Sequence, residues 1–217
     1  MLQEALAFPL AFRVARPPHP CPSPLRREGK PVIGCAAVAR PMRNVLHTLH
    51  NPFPEETHMA HEDLKQTLIM AGKVLVAEGQ DDFTRGHISM RVPGDPGKFY
   101  MKAHSIGMDE ITMDNILTID LEGNVVAGTA KRHSEVYIHS EILKVRPDLN
   151  CVIHTHPTYS CAFSAMGREL RALSQPSALF YKDVGVYTDT INLIRTHEMG
   201  RGVAKALGKH RAVLLKN

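Results

Sequence analysis

The chain has 217 residues, 43% of them hydrophobic and 22% charged, with a formal net charge of +4. That length suits one ordinary domain or a domain with an extension, and the composition is globular, with no apolar run long enough to cross a bilayer. In the first 58 residues Arg13, Arg16, Arg26, Arg27, Lys30, Arg40 and Arg43 outnumber Glu4, Glu28, Glu55 and Glu56, so the remainder is nearly neutral, which argues against a nucleic-acid footprint.

Residues 1–58 are rich in proline and arginine, as in Arg16-Pro17-Pro18-His19-Pro20, and keep no period of 2 or 3.6 that would give a face to bury. They are expected to be a disordered or non-native extension, with Met59 as the natural start. The apolar patch at residues 5–12 has neither the basic lead nor the small-residue cleavage pattern of a secretion signal. Cys21, Cys35, Cys151 and Cys161 show no Cys-x-x-Cys spacing and read as reduced thiols of a cytoplasmic protein.

From residue 59 onward the pattern becomes regular. Leu64, Leu68, Ala71 and Leu75 lay an apolar stripe along a helix over 61–78, with Gly79 as its left-handed stop. Residues 86–92 alternate as a strand, 93–97 turn the chain, and 98–103 form a second strand of a hairpin. A strand at 116–120 turns through Glu122-Gly123-Asn124 into Val125-Val126.

A helix begins at Ser134 and ends before Pro147, with Val136, His139 and Leu143 on one stripe and Ile138, Ile142 and Val145 widening the buried side. The apolar strand Cys151-Val152-Ile153 follows. Beyond it come a short helix after Thr158, strands near 178–181 and 184–187, a long helix over 191–207 stopped by Gly208, and a buried strand at 211–217. The expected fold is a single three-layer α/β (α+β) domain over residues 59–217, with a mainly antiparallel central sheet flanked by helices.

His154-Thr155-His156 ends the apolar strand. Side chains two apart on a strand leave the same face, so both imidazoles converge as a two-toothed metal grip. Glu135 stands at the start of the preceding helix, and a carboxylate beside metal-bound imidazoles is a candidate general acid/base; the same residue in a first helical turn also favours the helix dipole. Tyr159 and Ser160 follow the histidine strand toward the cleft, and Asp183 is a candidate partner for a ligand imidazole.

Ser134-Glu135, a helix, and then Asn150-Cys151-Val152-Ile153-His154-Thr155-His156-Pro157 resemble the class II aldolase/adducin family of sugar-phosphate aldolases, epimerases, dehydratases and aromatic-acid decarboxylases. Gly86-His87-Ile88-Ser89, the segment 102–107 and Val213-Leu214-Leu215-Lys216-Asn217 fit in the same order. The resemblance implies a divalent cation, zinc or manganese, on three histidines, of which His154 and His156 match two, with Glu135 as the catalytic acid/base. The third histidine belongs directly after the strand that ends at Lys216-Asn217, so the domain is expected to lack its C-terminal part; His197 and His210 are remote substitutes.

Where the family's aldolases have Gly-Asn-x-Ser and a serine pair, this chain reads Gly86-His87-Ile88-Ser89 and His133-Ser134. That shift points to the decarboxylase branch and away from a phosphate cradle, with His87, Ser89, Ser105, Gly107, Arg132, His133 and Ser134 as substrate-binding residues and Arg132 as a fork for a carboxylate. The expected activity is that of a metal-dependent lyase, cleaving an aldol or decarboxylating a small hydroxy, keto or hydroxy-aromatic acid through a metal-stabilised enolate. The expected partners are a small-molecule substrate and, in a full-length chain, copies of itself in a tetramer, with no nucleic acid and no membrane. The alternative is a non-catalytic, adducin-like interaction module or an inactive truncated member.

Overall fold

The computed structural model describes residues 61–216 and the backbone of Gln3–Phe8. Among these residues the elements run β1 (Gln3–Phe8), α1 (His61–Ala77), β2 (His87–Val92), β3 (Asp95–Lys102), β4 (Ile116–Asp120), β5 (Val125–Ala127), α2 (Val136–Val145), β6 (Cys151–Thr155), α3 (Thr158–Ala165), α4 (Gln175–Ala178), β7 (Val184–Tyr187), α5 (His197–Leu207) and β8 (Ala212–Leu215). The strands form one eight-stranded sheet in the order β5-β4-β3-β2-β6-β1-β8-β7. Every pairing is antiparallel except β7 with β8.

Alternation along the strands sends side chains to two cores. Phe99, Met101, Leu117, Ile119, Val152 and Val213 pack with Val136, Ile142 and Leu143 of α2 and with Val203 and Leu207 of α5. Tyr100, Ile88, Met90, Cys151 and Ile153 point the other way, onto Leu68 and Ile69 of α1. The expected three layers and the helix over 61–78 are present, and Gly79 takes the left-handed conformation, φ +66°, that ends α1.

α2 and α5 pack closely because Gly200 faces the α2 backbone: a Cβ there would lie 2.4 Å from the Tyr137 carbonyl oxygen. Such an approach is open only to glycine. The Thr196 hydroxyl accepts the Met199 N–H at 3.2 Å and starts α5.

Three sequence expectations are corrected. Residues 178–181 end α4 and turn instead of forming a strand, because Ser174 caps a Pro176-containing helical turn, its hydroxyl accepting the Ser177 N–H. The last helix begins at His197, not 191, since Thr196 breaks and caps it. Val145 is 57% exposed at the fraying end of α2, outside the buried side assigned to it.

Within residues 1–58, expected to be a disordered or non-native extension, one segment has its backbone described. Gln3–Phe8 runs antiparallel to both β6 and β8, at the centre of one half of the sheet. A single extended segment there satisfies the facing N–H and C=O rows of two strands at once, a backbone gain that composition does not reveal. The rest of that extension, Cys21, Cys35 and the Met59 boundary lie outside the described residues. Cys151 is buried, which pushes its thiol up to about 12, and neither it nor Cys161 is in a disulfide. Among the described residues no helix is long and apolar enough to cross a membrane.

Candidate functional site

Strand register assembles the site. His87 of β2 stands opposite His154 of β6, and two residues on Ser89 stands opposite Val152, so His87, Ser89 and His154 leave the α2-facing side of the sheet together. The rings of His87 and His154 stack at 4.5 Å between centroids and 22° between planes. His156, just past the strand, turns its ring perpendicular to that of His154, with 2.9 Å between their Nε2 atoms. Two imidazoles on one tetrahedral zinc ion have nitrogens about 3.3 Å apart, given zinc–nitrogen bonds of ~2.0–2.1 Å, so the pair fits a shared cation. His156 Nδ1 meets Asp82 Oδ2 at 3.2 Å, the carboxylate-to-imidazole support that metal-bound histidines use.

α2 delivers the carboxylate. Glu135 occupies the position just before the helix and is only 2% exposed, but its side chain makes no capping bond. One oxygen accepts the Ile194 N–H at 3.2 Å, and the other lies 3.8 Å from His87 Nε2. Its backbone N–H points at His133 Nδ1, 3.4 Å away.

Burial keeps these imidazoles uncharged. Desolvation first, and neighbouring His133, His154, His139 and Lys102 second, hold His87 well below its ordinary value. His133 falls to about 3 through burial and the charge of Lys102, and His139 to about 3 for the same reasons. Neutral imidazole is the form that ligates metals. The donor atoms of His87, His133 and Glu135 lie within 4.8 Å of one another, so this donor set, too, suits a divalent cation.

The remaining expected residues divide. His133 is buried and its ring lies 4.1 Å from that of His87. Ser134 is half-buried at the turn into α2. Ser105 is exposed, with φ +62° and its hydroxyl against His104 Nδ1, while the buried Gly107 donates its N–H to Glu110 Oε2 at 2.7 Å. Arg132 already gives Nη1 to the His133 carbonyl and Nη2 to the Tyr137 hydroxyl, so forking onto a substrate carboxylate requires exchanging those contacts. Ser89 is fully buried behind His87, its hydroxyl at 2.7 Å from His139 Nδ1, and supports the site from within the sheet.

Asp183 is not a partner for a ligand histidine. It binds the Arg211 backbone and side chain and lies 3.6 Å from His210. His197 Nδ1 is held by Glu141 at 2.7 Å, so neither His197 nor His210 joins the pair at His154 and His156. Tyr159 is 91% exposed and, with Ser160 and Phe163, lines a separate surface cleft of about 630 Å³.

Three site residues escaped sequence reasoning. His139 lies four residues after Glu135, hence on the same helical face, but its stripe of apolar neighbours gave it the look of core. Lys102 ends β3 fully buried, its ammonium giving hydrogen bonds to the Thr84 and Ile106 carbonyls at 3.0 and 2.6 Å. Asp82 reaches His156 across 74 positions of sequence with no local signal at all.

Residues 66–217 match the sequence profile of the Class II Aldolase and Adducin N-terminal domain. The chain is 30% identical over 165 residues to the Meiotically up-regulated gene 14 protein of Schizosaccharomyces pombe, covering 75% of this chain and 64% of that one. It is 33% identical over 138 residues to Decarboxylase NovR of Streptomyces niveus, covering 63% and 51%. The solved L-fuculose 1-phosphate aldolase of Glaciozyma antarctica superposes with a TM-score of 0.64 at 28% identity, covering 72% of this chain and 61% of that one. The chain thus spans between half and two thirds of these relatives. A profile match over most of the chain, together with the shared fold, establishes that it belongs to the class II aldolase/adducin family.

Proposed function

We propose that the protein is a divalent-metal-dependent carbon–carbon lyase acting on a small hydroxy, keto or hydroxy-aromatic acid. The observation that carries this is the buried Glu135 carboxylate set among neutral imidazoles, beside a histidine pair spaced for one cation. His154 and His156 would hold a divalent cation, zinc or manganese, which when bound would supply Lewis-acid polarisation of a substrate oxygen. Asp82 orients His156, and the Ile194 amide orients Glu135, whose carboxylate takes up or returns the proton of the reacting carbon or oxygen. Arg132, Ser134, Ser105 and the Gly107 segment form the polar side from which a substrate carboxylate is held.

Decarboxylation is favoured over aldol cleavage because imidazoles stand at His87 and His133, where small amide and hydroxyl donors would suit a phosphate, and because NovR is among the relatives. The cytoplasm and a homo-oligomer, a tetramer when full length, complete this reading. The test is metal content and turnover of purified protein, with hydroxy-aromatic acids and with sugar phosphates, beside a His154→Ala, His156→Ala variant. Metal and carbon dioxide release that both vanish in the variant support the proposal. A folded protein with no metal and no turnover refutes it and leaves the adducin-like module.

A further inference from the structure

Between α1 and β2 the chain runs along the edge of the site on three anchors. The Asp82 carboxylate reaches His156 Nδ1, and the Thr84 carbonyl accepts a hydrogen bond from the buried Lys102 ammonium at 3.0 Å. Gly86 lies against β6, where a Cβ would be 3.5 Å from the His154 carbonyl oxygen. Alternate residues of 82–86 are thus fixed against the site, and Phe83 stands between the first two anchors.

The Arg85 N–H donates to the Asp82 carbonyl at 3.0 Å and closes a four-residue turn, tied again by the Arg85 guanidinium on the Asp82 carboxylate at 2.6 Å. Phe83 is the first central residue of that turn, with φ +51°. A positive φ there belongs to turns dominated by glycine, asparagine and aspartate, and a bulky residue in it is a steric outlier. Phe83 is also 86% exposed, so its ring gives the fold almost no burial in return. Glycine at this place would remove the strain and the exposed ring together. Strained backbone of this kind, which stability does not explain, clusters where proteins clamp ligands.

We propose that Phe83 is a specificity-determining residue, an aromatic wall at the rim of the site against which the ring of a hydroxy-aromatic acid packs. This deepens the lyase reading, on which it rests for the chemistry, and selects aromatic acids over aliphatic hydroxy and keto acids. Ring pairs engage offset or edge-to-face with centroids roughly 4.5–7 Å apart, a contact that an aliphatic acid cannot make. A ring presented on an anchored turn loses little freedom when it is covered, so most of that contact appears as affinity.

The chain contains no tryptophan, so Phe83→Trp places a lone fluorophore at this position. In the 217-residue protein with zinc(II) added, 4-hydroxybenzoate should quench that emission along a saturable curve, and lactate at the same concentrations should not. By isothermal titration calorimetry, Phe83→Gly should bind 4-hydroxybenzoate about 2- to 12-fold more weakly than the unaltered protein, the worth of one aromatic pair, while its thermal unfolding stays cooperative. Phe83→Leu, which keeps the strain and an apolar side chain, should share the loss. Equal affinity in Phe83→Gly and the unaltered protein, or equal quenching by lactate, overturns the proposal; carbon dioxide release that persists then leaves the lyase reading standing. Ring-dependent binding without turnover does the reverse, keeping the aromatic wall and removing the lyase. Binding of 4-hydroxybenzoate to no form overturns the wall as well. So does Phe83→Trp emission that shifts with protein concentration alone, because a second copy then covers the ring.

Discussion

Lys102 gives the sharpest quantitative test of this interior. Its ammonium is fully buried, held by two carbonyl oxygens, and burial lowers its pKa from 10.5 to about 8. A lysine depressed in the folded state is protonated more readily by the unfolded chain, so stability rises with pH between the two values and is penalised below the folded one. From pH 7 to pH 9 the unfolded lysine stays charged while the folded one goes from about nine-tenths protonated to about one-tenth, which integrates to about 1.4 kcal/mol of added stability. Lys102→Met abolishes this contribution.

Other groups titrate near this window, with Cys151, Tyr100 and Tyr187 all raised by burial and acting in the opposite sense, losing stability as pH climbs past their unfolded values. The difference between the two proteins cancels them. Urea unfolding at pH 7 and pH 9, followed by far-ultraviolet circular dichroism, should show the original protein gaining about 1.4 kcal/mol relative to the variant. Parallel pH profiles would refute the buried-ammonium argument. At pH 7 alone the sign is less informative: the variant removes a desolvated charge but leaves the Thr84 and Ile106 carbonyls without their donor, at about 1–3 kcal/mol each.

Three further outcomes are expected. Leu207→Ala, at a fully buried position between α5 and the sheet, should lower unfolding stability by about 2–5 kcal/mol, measured by the same urea titration; less than ~1 kcal/mol would mean the site collapses around the loss. Gly200→Ala should destabilise by about 1–3 kcal/mol because the new methyl meets the Tyr137 carbonyl, and a variant as stable as its parent would show that α2 and α5 are not in that close contact. Asp82→Asn should weaken metal affinity roughly 10–100-fold by removing the carboxylate behind His156, read by competition with a chromophoric chelator, with unchanged affinity counting against that support.

Local pattern alone located much of the molecule: the stripe of α1 and its Gly79 stop, the β2–β3 hairpin, the strand β4 with its turn, and the pairing of Glu135 before a helix with His154 and His156 after it. These depend on side-chain periodicity and turn chemistry within a few residues, where neighbours in sequence are neighbours in space. Tertiary structure decided what depends on register between distant strands. Only the alignment of β2 with β6 puts His87 against His154, and only the packing of α2 on that face makes His139 a buried link between His87 and Ser89. Asp82 for His156, in place of Asp183, and Gln3–Phe8 between β6 and β8 are settled by the same means. A backbone ladder or a cross-sheet hydrogen bond joins residues whose separation along the chain carries no trace of the contact.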